Sequence, residues 1–274
     1  MNDVHTPHPT DRALLRAAIH NNTAWCAAVC ATHDVPTRTT AGVWHGLRPA
    51  PPLYPDAVTL DPGLPLGRVL AALGAGGGPA RDLARTSVKD SHADLDLTAA
   101  GFDVLFDARW IHHPAPARGG ARDGRRAGWS RVRTAPELAT WERAWRGPEG
   151  SDGGAGSEAA PSPFRPGLLA HPDVAVLAEH DPEGRVRAGA VLHHAAGVLG
   201  VSNLFTGPGN DMEDMEGGGA ARGERAAWDA VLGWAARHRP GVPLVGYESG
   251  DALPPALAAG FRVLGPLRVW LHRG

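Results

Sequence analysis

Near its C-terminus the chain sets Tyr247 and Glu248 at the end of an apolar run, "VPLVGYES". A carboxylate at the end of a strand can take a proton from an incoming amine, directly or through a water, and a phenol can give one. Successive strand residues point to opposite sheet faces, so only one of the two can face a given cleft, and Glu248 is the expected one. Further back, "RGERAAWDAVLGWAARHRPG" reads as an amphipathic helix with Trp228, Val231, Leu232 and Ala235 along one side. Its first amides and the positive end of its dipole favour an anion, and Arg222 and Arg225 add charge there. The acidic "NDMEDME" just ahead raises the electrostatic cost of holding a phosphate. His112-His113 and His193-His194 end strands without the partners a metal site needs. Cys26 and Cys30 share an apolar helical stripe with Ile19, Trp25 and Val29 and read as buried thiols. No metal is expected.

The 274 residues are ample for a buried core, and a formal charge of −2 leaves no footprint for nucleic acid or an anionic membrane. Among the 27 basic residues Lys89 is the one lysine, a bias that accompanies the abundant Ala, Gly and Pro of a GC-rich genome. The first residues, "MNDVHTPHPTD", lack a basic-then-apolar leader, and no apolar run is long enough to span a bilayer. These features predict a soluble, cytoplasmic protein, monomeric or homodimeric.

The elements that would position these groups follow from period and punctuation. A helix is predicted from Thr10 or Asp11 to about Ala31, then short strands in "TRTTAGVWHG" and "DAVTLDP". "PLGRVLAALGAGGG" reads as a helix, "RTSVKDSH" as a strand, "LDLTAAG" as a short helix and "FDVLFDARWIHH" as a long strand. The turn-rich residues 117–127 read as a connector. After it, Thr134-x-x-Glu137 is a capping box opening a helix with Leu138, Trp141 and Trp145 on one face. Residues 148–163, rich in Gly and Ser, read as a flexible surface insertion. "DVAVLAEH", "RVRAGAVLHH" and "VLGVSNLFT" form an antiparallel meander, followed by helix, strand, helix and strand.

That order, with "RVRAGAVLHHAAGVLGVSNLF" for the meander and "ALAAGF" for the last helix turn, resembles the GNAT superfamily of acyl-CoA-dependent acyltransferases over roughly residues 128–274. The resemblance implies an α/β (α+β) fold with a mixed, mostly antiparallel sheet flanked by helices. It also implies that "VLGVSNLF" and "PLVGYES" lie side by side and part at one end. There Asn203, Leu204 and Phe205 would meet the pantetheine arm of acetyl-CoA or another acyl-CoA. Arg222, Gly223, Arg225 and Ala227 would align with the pyrophosphate loop, with Arg225 where the family has a glycine. The family's general-acid Tyr position holds Ala256. The implied function is N-acyl transfer to an amine of a small molecule or protein. The departures at Arg225 and Ala256 favour the alternative, a catalytically inactive GNAT-like binding protein with a degenerate acyl-CoA site.

The chain also repeats itself: "LTAAGFDVLFDARWIHHP" from Leu97 and "ALAAGFRVLGPLRVWLHRG" near the end. Gly101 and Gly260 are expected to close a helix through a left-handed cap and send a Phe under the next strand. On this basis residues 1–116 read as a truncated GNAT-like half, with Leu97 at the general-acid position, joined to a fuller GNAT-like domain at 128–274.

Overall fold

The computed structural model describes residues 9–74, 83–116, 129–147, 161–207 and 219–274. The expected connector, the acidic "NDMEDME" and nearly all of the 148–163 insertion lie outside the described residues.

The first helix, α1 (Pro9–Thr32), is followed by β1 (Thr37–Thr40), β2 (Val43–Gly46), β3 (Ala57–Thr59), α2 (Leu66–Gly74), β4 (Ser87–Asp90) and the long β5 (Phe102–His113). Beyond the connector come β6 (Ser130–Arg131), α3 (Ala135–Arg146), β7 (Val174–His180), β8 (Val186–Ala195) and β9 (Val198–Thr206). The chain finishes with α4 (Gly219–His238), β10 (Leu244–Glu248), α5 (Leu253–Ala258) and β11 (Arg262–His272). The capping box forms: Thr134 accepts from the Glu137 amide, and the Glu137 carboxylate accepts from the Thr134 amide.

Among the described residues eleven strands join one sheet, in the order β1-β2-β3-β4-β11-β5-β10-β9-β8-β7-β6. The N-terminal β5 lies between β10 and β11, and the C-terminal β11 lies between β4 and β5, so each half seats its last strand inside the other. The pairings repeat outward from the central antiparallel β5–β11 pair. β4 and β10 each run antiparallel to their central neighbour, β3 and β9 parallel to those, and β2 and β8 antiparallel again.

The two glycines close this arrangement. Gly101 and Gly260 both have left-handed backbones, with φ of +85° and +96°. The Phe102 amide donates to the Leu97 carbonyl at 3.3 Å and the Phe261 amide to the Ala256 carbonyl at 3.2 Å. Phe102 and Phe261 are buried, each against a histidine of the opposite strand: His272, 5.0 Å from Phe102, and His113, 5.2 Å from Phe261. A Cβ at Gly101 would meet His272, and one at Gly260 would meet His113. The sequence repeat thus marks two turns that sit against each other's strands.

Helices α1 and α3 cover one face of the sheet. Trp25, Val29, Leu138 and Trp141 pack there on Val174, Val176 and Val191. On the other face α2 packs on Val43, Ala57 and Val88, while α4 and α5 bury Trp228, Val231 and Ala256 against Leu177, Leu192 and Leu244. Two buried indoles satisfy their N–H groups: Trp141 donates to the Leu177 carbonyl at 2.8 Å and Trp110 to the Ser91 carbonyl at 2.9 Å. Cys26 and Cys30 are free and buried, packed with Val35, Trp44 and Val58, and burial pushes both thiols up, Cys30 to about 12.

Candidate active site

The site begins where two parallel strands stop pairing. β9 and β10 are matched only at Leu199 with Leu244 and Gly200 with Val245. Beyond that point β9 stays with β8 as far as Thr206, while β10 stays with β5 as far as Glu248. Two features mark the point of parting. Asn203 and Leu204 on β9 oppose the single Ala190 on β8, a bulge whose first residue, Asn203, has φ of +52°. At the vertex, Gly246 lies so close to β9 that a Cβ there would be 3.0 Å from the Val201 carbonyl oxygen. The β9 edge from Ser202 to Thr206 therefore faces the gap without a strand partner.

On the α4 face the gap opens into a recess between Leu204, Thr206, Glu224, Trp228 and Glu248. Burial, followed by the negative charge of Glu224, raises the Glu248 carboxyl from 4.5 to about 8. Burial and then Asp251 raise Glu224 as well. A carboxyl that changes charge near neutral pH, set in a cleft, is suited to proton transfer.

No family model matches the sequence, and no curated protein matches it. Solved structures do. A GCN5-related N-acetyltransferase from Kribbella flavida superposes with a TM-score of 0.57 at 17% identity, over 94% of this chain and 96% of its own. A conserved protein of unknown function from Staphylococcus epidermidis ATCC 12228 gives 0.59 at 9% identity, over 88% and 95%. A protein described as a GNAT-family acetyltransferase from Novosphingobium aromaticivorans DSM 12444 gives 0.51 at 16% identity, over 96% and 97%. The chain has the GNAT fold. The likeness runs through both halves of the sheet, not only through residues 128–274.

Within this GNAT fold the expected site residues separate by face. Glu248 turns to the α4 recess. Tyr247 turns to the α1 face, where its ring lies 5.6 Å from that of Trp110 and its hydroxyl accepts from Lys89 Nζ at 3.3 Å. Asn203 forms the bulge and donates to Ser202 Oγ at 3.1 Å. Leu204 packs toward Trp228 and Phe205 toward Trp141, so the two flank the gap on opposite faces.

The residues expected to align with the pyrophosphate loop lie along α4. Helix α4 is already formed at Gly219, placing Arg222 and Gly223 within it rather than at its start. Arg225 sits further along, where its guanidinium bonds Asp229 at 3.1 Å and the Ala258 carbonyl. It clamps α4 to the end of α5. Ala227 is buried, and Ala256, fully buried beside Trp228, leaves no hydroxyl at the family's general-acid position.

On the α1 face a second, small recess reaches the same vertex, between Asn22, Trp25, Trp110, His193, Ser202 and Gly246. The buried Asn21 ties α1 to the sheet, its amide donating to the His193, Ala195 and Val198 carbonyls at 2.9, 3.1 and 3.0 Å. Its oxygen fills the space a side chain at Gly200 would need. His193 is held down to about 4, by burial first and then His171, and is neutral at pH 7; burial and then Arg262 hold His112 to about 4. Among the described residues no group of three or more His, Cys, Asp and Glu is placed to hold a metal ion, and no helix is long and apolar enough to cross a membrane. Sequence reasoning passed over Lys89, Asn22 and Glu224. The available signals were an Asn pair inside an apolar helical stripe and one lysine in the middle of a buried strand.

Proposed function

We propose that the chain is an acyl-CoA-dependent N-acyltransferase acting on an amine of a small molecule or protein. The observation that carries this reading is the parting of β9 from β10, with an unpaired strand edge on one wall and a carboxyl poised at about 8 on the other. The wall of the α4 recess suits the pantetheine arm: apolar sides from Leu204 and Trp228, with backbone groups of 202–206 free to pair. When bound, an acyl-CoA supplies an activated thioester carbonyl. The chain's own contribution is to orient it along β9, to offer main-chain donors toward the developing oxyanion and to keep water away. Glu248, once ionised, takes the proton the amine must lose, worth about 10²- to 10⁴-fold in rate. On the same reading residues 1–116 are a truncated GNAT-like half whose last strand completes the sheet.

Glu224 and Asp251 put negative charge beside the recess, so affinity should be low, with Kd on the order of 100 μM or poorer, about −5.5 kcal/mol or less favourable. The test is calorimetric titration with acetyl-CoA, then acetyl transfer to a panel of amines. Heat with a one-to-one fit and an acetylated product support the proposal. No binding at millimolar acetyl-CoA overturns it. Binding without transfer to any amine would favour the second reading, a GNAT-like binding protein, to which the buried Ala256 already lends weight.

A further inference from the structure

Lys89, the chain's one lysine, is buried at 4% exposure on β4 and reaches across the sheet beneath α1. Its Nζ donates to Asn22 Oδ1 at 2.8 Å and to the Tyr247 hydroxyl at 3.3 Å, and lies 4.4 Å from the centre of the Tyr247 ring. Among the described residues it has no carboxylate partner. A buried ammonium without a counter-charge is costly, and two neutral acceptors offset only part of the cost. An anion supplied from outside would offset the rest.

The neighbouring side chains are arranged to receive one. Lysine only donates, so Asn22 must turn its carbonyl oxygen to Nζ and its NH₂ away from it. Asn22 is half-buried and borders the α1-face recess, where no described group accepts from that NH₂. Ser202, across the same recess, uses its oxygen to accept from Asn203, which leaves its hydroxyl hydrogen to donate. His193, on the recess wall, brings no charge at pH 7. The recess thus combines one full positive charge set behind its wall with neutral donors on its surface, a set that matches a monoanion rather than a doubly charged phosphate.

We propose that the α1-face recess binds a carboxylate borne by the acceptor amine, with Asn22 and Ser202 as direct donors and Lys89 as the charge behind them. The recess ends at the β9–β10 vertex, so an amine a few bonds from that carboxylate would lie at the gap. The acceptor would then be an amino acid or a related amino carboxylate. The word "acceptor" rests on the acyltransferase reading; the anion site does not.

The test is calorimetry without acyl-CoA, titrating phenylalanine, 4-aminobutyrate, their carboxamides and inorganic phosphate into wild type, Lys89→Met and Asn22→Ala. At least one carboxylate should bind wild type roughly tenfold or more tightly than its carboxamide, as expected for loss of a charge-assisted hydrogen bond. Lys89→Met, apolar and of similar length, should erase that preference. Asn22→Ala should weaken the carboxylate by a similar factor, and decides the matter if Lys89→Met does not fold. Equal binding of acid and amide, a preference that survives both substitutions, no carboxylate binding at millimolar concentration, or tighter binding of phosphate each overturns the proposal. Carboxylate preference in a protein that never acylates an amine would leave this site standing and remove the acyltransferase. Acylation without carboxylate preference would do the reverse.

Discussion

Replacing Glu248 with Gln keeps the size and most of the hydrogen bonding of the side chain and removes its titration. In the folded chain Glu248 holds its proton up to about pH 8, whereas the unfolded chain releases it near the ordinary 4.5. Between those limits the folded state binds more protons than the unfolded one, so stability falls as pH rises, by at most about 1.4 kcal/mol per pH unit. The contribution is fully present below 4.5 and is lost once pH passes 8. Across the window the ceiling is about 5 kcal/mol. Glu248 is only half-buried at the wall of an open recess, and solvent screening there reduces the effect to about 2 kcal/mol. Urea unfolding of wild type and Glu248→Gln at about pH 5 and about pH 8.5 measures it through the midpoint at constant slope. The variant should match wild type in acid and exceed it by about 2 kcal/mol in base. A difference that stays constant with pH, or a variant that loses ground in base, would refute a buried proton-holding carboxyl.

Three further outcomes follow from named contacts. Acyl transfer should rise with pH through a limb near 8; Glu224→Gln should move that limb to lower pH, and Glu248→Gln should lower kcat by about 10²- to 10⁴-fold, read from steady-state rates across pH. Gly246→Val should force the vertex of the gap against the Val201 carbonyl, costing roughly 1–3 kcal/mol in urea unfolding and weakening acetyl-CoA in calorimetry. Gly101→Ala should destabilise more than Gly260→Ala, because both meet the left-handed backbone cost of about 1–2 kcal/mol but only Gly101 has a histidine nitrogen within 3.0 Å of the added carbon, at 2.9 Å. Combining Gly101→Ala with His272→Ala should recover the steric part and leave the backbone part.

The order of the C-terminal elements was legible because each announces itself locally: period-two runs for β7 to β9, the Thr134 capping box, and the glycine caps at 101 and 260. The division of Tyr247 from Glu248 was legible for the same reason, since alternation is a property of one strand. The place of β5 between β10 and β11 was not, because strand neighbours far apart in sequence leave no local mark. The contacts of Arg225 were hidden for a related reason. Its position suits a phosphate only if the helix starts at Arg222, and its partner, the Ala258 carbonyl, belongs to another helix. The Lys89 cluster draws one residue each from α1, β4 and β10, and nothing in the three segments read separately joins them.

The repeated sequence leaves one question, why a gap opens in one half of the sheet and not the other. β3 and β4 run parallel as β9 and β10 do, and Asp90 pairs with Arg268 on β11 as Glu248 pairs with Arg109 on β5. In the N-terminal half, however, the Thr59 hydroxyl accepts from the Ser91 amide at 2.9 Å, carrying the contact between the strands past the last paired residues. Asp90, fully buried, accepts from the Leu95 and His92 amides at 3.0 and 3.3 Å, so its carboxylate closes a loop. Burial raises Asp90 as it raises Glu248, but those amides oppose the rise. The two carboxylates hold matching places in the sheet and differ in what surrounds them. Asp90 spends its lone pairs on the backbone and holds a turn, while Glu248 faces a recess. The same sheet geometry thus yields a structural carboxylate where a hydroxyl bridges the strands, and one facing a recess where a bulge turns β9 away.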